Sequence, residues 1–147
     1  MAIAKYPTKI ADIRRTSEQL PTIIKYIETL FNQTFKLDLS LYYKLIVRTF
    51  GSNAFVTQDD KREIYFAVEK LSAEIEHQKV IVAHEIGHVA HFSFATNQDM
   101  NWTKVDWTHG HTTLYTEGAA TYLSKKIIPA LNESGYCTYE EEGEPGG

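Results

Sequence analysis

His84-Glu85-Ile86-Gly87-His88 sets two imidazoles four residues apart, with a carboxylate directly after the first. On a helix, residues four apart lie one above the other, so both rings reach a single metal ion. Glu85 projects about 100° away around such a helix. It is therefore a poor third ligand, but it is well placed to take a proton from metal-bound water. The pattern predicts one bound Zn2+, with His84 and His88 as ligands and Glu85 as general base. The plainer alternative is a pair of ordinary helical histidines beside a solvated glutamate. The flanking runs Val80-Ile81-Val82-Ala83 and Val89-Ala90 speak against it, because they bury this helix and buried imidazoles need partners.

A catalytic zinc needs a third protein ligand and keeps one position open for water. Glu117 is the candidate, since it opens Glu117-Gly118-Ala119-Ala120, whose small side chains would let a second helix come close to the first. A glycine inside a helix costs about 1 kcal/mol, so Gly118 calls for a packing reason, and close helix contact supplies one. The bland reading of Glu117 is a first-turn carboxylate favoured by the helix dipole. Among rivals, His91 shares the face of His88, but His84, His88 and His91 together would spread over about 10 Å of one rigid helix, too far for one ion. His109 and His111 precede the second helix and could bind metal or substrate. A fourth ligand from either would mark a structural site rather than a catalytic one. The metzincin pattern needs Gly and His three and six residues after the second histidine, where this chain has His91 and Phe94, so that class is excluded.

These residues need a scaffold. Apolar residues at helical spacing from Ser17 to Phe35 predict an amphipathic helix, with Ser17 as N-cap and Pro21 in its first turn. Leu41–Thr49, Ala54–Thr57 and Ile64–Val68 are rich in strand-forming residues, and Gln58-Asp59-Asp60-Lys61 reads as a hairpin loop between the last two. The metal-binding helix is expected from Ser72 to about Phe94, with Ile75, Val82, Ile86, Val89 and Ala90 buried. A loop at 96–110 should flank the site, followed by a helix capped by Thr112 or Thr113 and running to about Ile128. The expected fold class is α+β, a small mixed or antiparallel sheet packed on helices with a zincin-like H-E-x-x-H helix. Residues 1–139 are expected to form one domain. The stretch 140–147 is acidic, Gly-rich and free of apolar residues, and reads as a disordered tail.

Composition limits the function classes. Fifteen Lys+Arg against 19 Asp+Glu give a net charge of −4, which excludes a generically basic nucleic-acid binder, so no nucleic-acid partner is expected. One cysteine, Cys137, allows no intrachain disulfide, and the first residues lack the apolar run of a signal peptide, so a cytoplasmic location is expected. No run approaches the roughly 20 apolar residues of a membrane span, so no membrane partner is expected either. The pattern does not fix the oligomeric state.

At His84, Glu85, His88 and Glu117 the chain resembles the gluzincin metallopeptidases, the thermolysin-like class in which H-E-x-x-H is joined by a glutamate from a following helix. Glu117-Gly118-Ala119-Ala120 is similar to the E-G-x-A that carries this ligand in several gluzincins and in predicted bacterial zinc-dependent peptidases. Asn53-Ala54-Phe55 resembles the segment of the edge strand with which thermolysin-like enzymes pair substrate backbone. The resemblance spans about residues 41–130. It implies a zinc peptidase acting on a peptide or protein, with substrate extended along Asn53, Ala54 and Phe55. Phe55, Trp102 and Trp107 are candidates for aromatic pockets beside it, their plainer reading being core residues. The chain departs from the class after Glu117. Only 30 residues follow, whereas thermolysin-like enzymes take a transition-state His or Tyr from a later helical half. That leaves His109, His111, Tyr115 or Tyr122 as substitute donors. The cytoplasmic regulatory peptidases that cleave repressors are also similar, at Ala83–His88 and at Ile127-Ile128-Pro129. A third alternative is an inactive, metal-stabilised binding module.

Overall fold

The stripe Leu20, Ile24, Ile27 and Phe31, each almost wholly buried, fastens the first helix to the rest of the molecule. A computed structural model describes residues 2–48, 51–58 and 62–129 of the chain. In it this helix, α1, spans Ala2–Phe35 and so begins well before the expected Ser17. Neither Ser17 nor Pro21 marks its start. Residues 8 to 20 are mostly good helix formers, and Pro21 stands on the exposed side, where losing one ladder bond costs least. After α1, Asn32 Oδ1 accepts from the Leu39 amide at 2.8 Å and Glu28 Oε2 from the Leu41 amide at 3.1 Å, which holds the connection against the helix.

Three short strands follow: β1 (Tyr43–Ile46), β2 (Ala54–Val56) and β3 (Ile64–Ala67). All lie within the stretches expected from sequence and are shorter than them. Their order is β1-β3-β2, with β1 parallel and β2 antiparallel to β3, so the sheet is mixed. β3 is central and the most buried, while β2 forms one edge. Thr57 and Glu63 continue the β2–β3 pairing past the strands. The tip of the expected hairpin loop, residues 59–61, lies outside the described residues.

The long helix α2 (Ile75–Asn97) starts three residues after the expected Ser72, which instead accepts the Glu74 amide at its hydroxyl in the preceding turn. Val82, Ile86, Val89 and Ala90 are buried as expected, whereas Ile75 is 45% exposed because it stands in the first turn, beyond the core. After a 3-10 turn at Trp102–Lys104 comes α3 (Gly110–Ile127). Its N-cap is His109, whose ring accepts the His111 amide at 3.2 Å, so neither Thr112 nor Thr113 is the cap. The three helices and the sheet share one apolar core running from Leu20 of α1 through Phe66 of β3 and Ile86 of α2 to Ile127 of α3. The architecture is thus α+β. The acidic stretch 140–147 and Cys137 lie outside the described residues.

Candidate metal centre

α2 is buried over most of its middle, and there it turns His84 and His88 to one face, with ring centroids 4.8 Å apart. α3 brings Glu117 against both. Its Oε2 lies 2.9 Å from His84 Nε2 and its Oε1 3.2 Å from His88 Nε2. A carboxylate only accepts, so in this arrangement each ring donates from Nε2. The hydrogen bond from His84, and then that from His88, hold the Glu117 carboxyl well below its usual pKa, against an opposing effect of burial. The Glu117 side chain is 47% exposed, against 20% for His84 and 11% for His88, so the cluster opens to solvent on the α3 side. One ligand atom from each residue lies within 4.8 Å of the others, and the three together could hold a metal ion.

What brings α3 this close is Gly87. A Cβ there would sit 2.7 Å from the Ala120 carbonyl oxygen and 3.1 Å from its Cα, too near for any side chain. Gly87 is three residues after His84 and directly before His88, and Ala120 is three after Glu117, so the helices touch within one turn of the clustered side chains. Gly118, the glycine expected to permit the approach, has nothing within 4 Å of its would-be Cβ. The close contact therefore falls on Ala120 within the small-residue run and on the glycine inside the H-E-x-x-H motif.

The cluster forms one wall of a cleft of about 260 Å³. Asn53, Ala54 and Phe55 also line it, together with Ser52, Val56 and Gln58. No strand pairs with the outer edge of β2 among the described residues. Phe55 stacks on its cross-strand neighbour Tyr65 at 4.9 Å, with Arg48 over its other face at 5.3 Å. Glu85, 6% exposed, also lines the cleft beside the two histidines.

Phe92 and Trp107 continue the wall beyond His88, and neither Phe92 nor Thr116, which also lines the cleft, was expected there. Phe92 carried a signal: it is four residues after His88 and so shares its face. Trp107 stacks on Trp102 at 5.9 Å and meets Phe92 edge-on at 5.8 Å. Trp102 backs this layer and does not line the cleft. Arg62, from the start of the segment leading into β3, covers Phe92 at 4.8 Å and Trp102 at 5.2 Å. Its guanidinium and the Trp102 indole both donate to Thr96 Oγ1, so one hydroxyl ties the β2–β3 hairpin to the aromatic layer.

The four residues considered as transition-state donors are not brought to the cleft. His109 caps α3 and lies against His111, their rings 4.8 Å apart. Tyr115 is 68% exposed and meets His91 edge-on at 5.3 Å, and Tyr122 is 62% exposed beneath Lys126. His91 stands outside the metal cluster, half-buried among Tyr115, Trp102 and Phe92, and burial lowers its pKa. Among the described residues no helix is long and apolar enough to cross a membrane. Comparison of the chain with protein-family models, curated proteins and solved structures finds no match.

Proposed function

We propose that the chain is a zinc-dependent peptidase of the gluzincin type. One observation carries the reading: His84, His88 and Glu117 converge in a cleft that is also lined by β2, an edge strand with no partner on its outer side among the described residues. Two imidazole nitrogens and a carboxylate oxygen are a donor set that zinc accepts. Donors each about 2.1 Å from a tetrahedral ion stand about 3.4 Å apart. Glu117 meets the two rings through different oxygens, at 2.9 and 3.2 Å, and one ligand atom from each residue lies within 4.8 Å of the others, so the set is near that spacing and reaches it by a small adjustment of the side chains. When bound, the ion supplies Lewis acidity, polarising a carbonyl and making a water more acidic.

The remaining chemistry belongs to the chain. The free edge of β2 offers backbone N–H and C=O groups with which an extended peptide can pair, presenting its scissile carbonyl towards His84 and His88. Glu85, buried beside them, accepts a proton on a carboxylate oxygen as water adds to that carbonyl. It then delivers the proton to the amine nitrogen as the C–N bond breaks. Phe92 and Trp107 keep water from one end of the cleft and offer an apolar surface to a substrate side chain. His109 and His111 are not part of the three-donor cluster, and a three-ligand site with room for water is of the catalytic kind rather than the closed structural kind.

The test is a pair of variants, examined by metal analysis and by hydrolysis of a casein digest read by mass spectrometry. Glu85→Gln should retain one zinc per chain and lose at least about 100-fold in turnover. His84→Ala should lose the zinc as well. Wild-type protein that takes up no zinc on reconstitution, or Glu85→Gln that cleaves as fast as wild type, would defeat the assignment.

A further inference from the structure

At about 51 Å, α1 outruns α2, which is about 35 Å long. Its buried stripe, Leu20, Ile24, Ile27 and Phe31, alternates steps of four and three, the 3.5-residue spacing with which one helix packs against another. In the sequence the same alternation runs back without a break through Ser17, Ile13, Ile10 and Tyr6. Among the described residues the cover runs out along it. Ile13 is half-buried, Ile10 is 50% exposed, and residues 9–12, 14 and 15 are all exposed.

The flanks of this uncovered seam are both cationic. Lys9 precedes Ile10 and Arg14 follows Ile13, the positions that decide which partner a packed helix accepts. Among the described residues neither side chain engages an ion pair or hydrogen bond, and both are exposed. Residues 1–15 carry four Lys or Arg against one Asp in a chain that is net −4.

We propose that the N-terminal turns of α1, centred on Ile10 and Ile13, dock an acidic amphipathic helix of a partner protein. The apolar seam supplies contact area, and the flanks select the partner's sign. Pairing with the same segment of a second copy would set Lys9 or Arg14 against another cation in either orientation, so the charges disfavour self-association. A helix with apolar residues at the seam and glutamates beside it turns both repulsions into attractions. Exposed ion pairs of this kind add little affinity but govern selectivity and salt dependence. No residue of the metal cluster takes part, so this inference stands apart from the peptidase reading.

The experiment uses the full chain and two labelled synthetic peptides of about 21 residues. Each has Ile and Leu at the seam positions of three heptads, one with Glu and the other with Lys at the flanking positions. By fluorescence anisotropy the Glu peptide should bind at least about tenfold more tightly than its Lys twin, and more weakly as salt is raised. Ile10→Asp should weaken the Glu peptide by about tenfold or more, and the Lys9→Glu/Arg14→Glu pair should reverse the preference. Both variants change exposed positions, and circular dichroism checks that they fold. Failure of the Glu peptide to bind, equal binding of the two, or binding indifferent to Ile10→Asp would overturn the proposal. Sedimentation showing a wild-type dimer that Ile10→Asp converts to monomer would also overturn it, by assigning the seam to a second copy.

Discussion

Gly87→Ala adds a single methyl group, and the structure says where it goes: 2.7 Å from the Ala120 carbonyl oxygen and 3.1 Å from its Cα. Restoring an ordinary contact of about 3.4 Å requires α3 to retreat by roughly 0.7 Å, because both obstructing atoms are backbone. Glu117 is one turn away on the same face of α3 and retreats with it. A shift of that size exceeds the roughly 0.2 Å within which metal–ligand distances are held, so zinc affinity should fall by about 10- to 100-fold. Stability moves less, since alanine gains about 1 kcal/mol of helix propensity while overpacking costs about 1–3 kcal/mol, leaving a net loss of about 0–2 kcal/mol. Gly118→Ala is the matched control: it makes the same propensity gain on a helix where a Cβ meets nothing within 4 Å. It should raise the melting temperature slightly and keep its zinc. The assay is zinc affinity by competition with a chromophoric chelator, with thermal unfolding in the presence and absence of the metal. If Gly87→Ala binds zinc as tightly as wild type, the contact with Ala120 does not set the position of Glu117 and the reasoning fails.

Other perturbations separate the parts of the site. Trp107→Ala should leave zinc affinity within about twofold but weaken the cleavage of peptides carrying a large apolar side chain next to the scissile bond, measured as a change in kcat/KM between paired Phe and Gly peptides; equal loss on both peptides would remove Trp107 from selectivity. His109→Ala removes the cap of α3 and should cost about 0.5–2 kcal/mol in denaturant unfolding, with zinc affinity unchanged if His109 is no ligand. In metal-free protein, Glu117 has its carboxyl pKa lowered, so its bonds to the two rings add stability above the ordinary value of 4.5 and lose it as pH falls through the lowered one. Wild type should therefore exceed Glu117→Gln in melting temperature at pH 6, and the difference should shrink below pH 4; because the side chain is nearly half exposed, a small gap is expected, and a gap that widens in acid would contradict the sign. Arg62→Ala should loosen the hairpin from the aromatic layer, seen as faster amide exchange in residues 54–57 with α2 unaffected.

The parts of the site that could be read from sequence are those set by spacing within one helix. His84 and His88 share a face because 3.6 residues make a turn, and Phe92 could have been added by the same step. The three strands were legible from their Val, Ile, Tyr and Phe content, but their order was not. Placing β3 between β1 and β2 is a long-range choice, and with it β2 becomes an edge strand that lines the cleft. The start of α1 was not legible because Ser17 followed by Pro21 fits an N-cap and a first-turn proline, whereas helix formers before Ser17 carry the helix back to Ala2. Trp102 and Trp107 are indistinguishable in sequence. The fold of the loop between α2 and α3 puts Trp107 at the cleft and Trp102 behind it.

The glycines show where a further step of the same arithmetic would have helped. Gly118, directly after Glu117, points about 100° away from it around the helix, and there its would-be Cβ meets nothing within 4 Å. Three residues on, Ala120 has come back to the ligand side, and on the other helix Gly87 stands in the same relation to His84. Sequence alone leaves open whether the two turns meet, because that depends on the relative rotation of α2 and α3, which the shared core from Ile86 to Ile127 fixes. Once they meet, the smallest residues must lie where backbone touches backbone, and they do, at Gly87 against Ala120. The geometry of the candidate metal cluster and the packing of the helices are thus coupled through one contact, and a substitution that enlarges either residue should act on both.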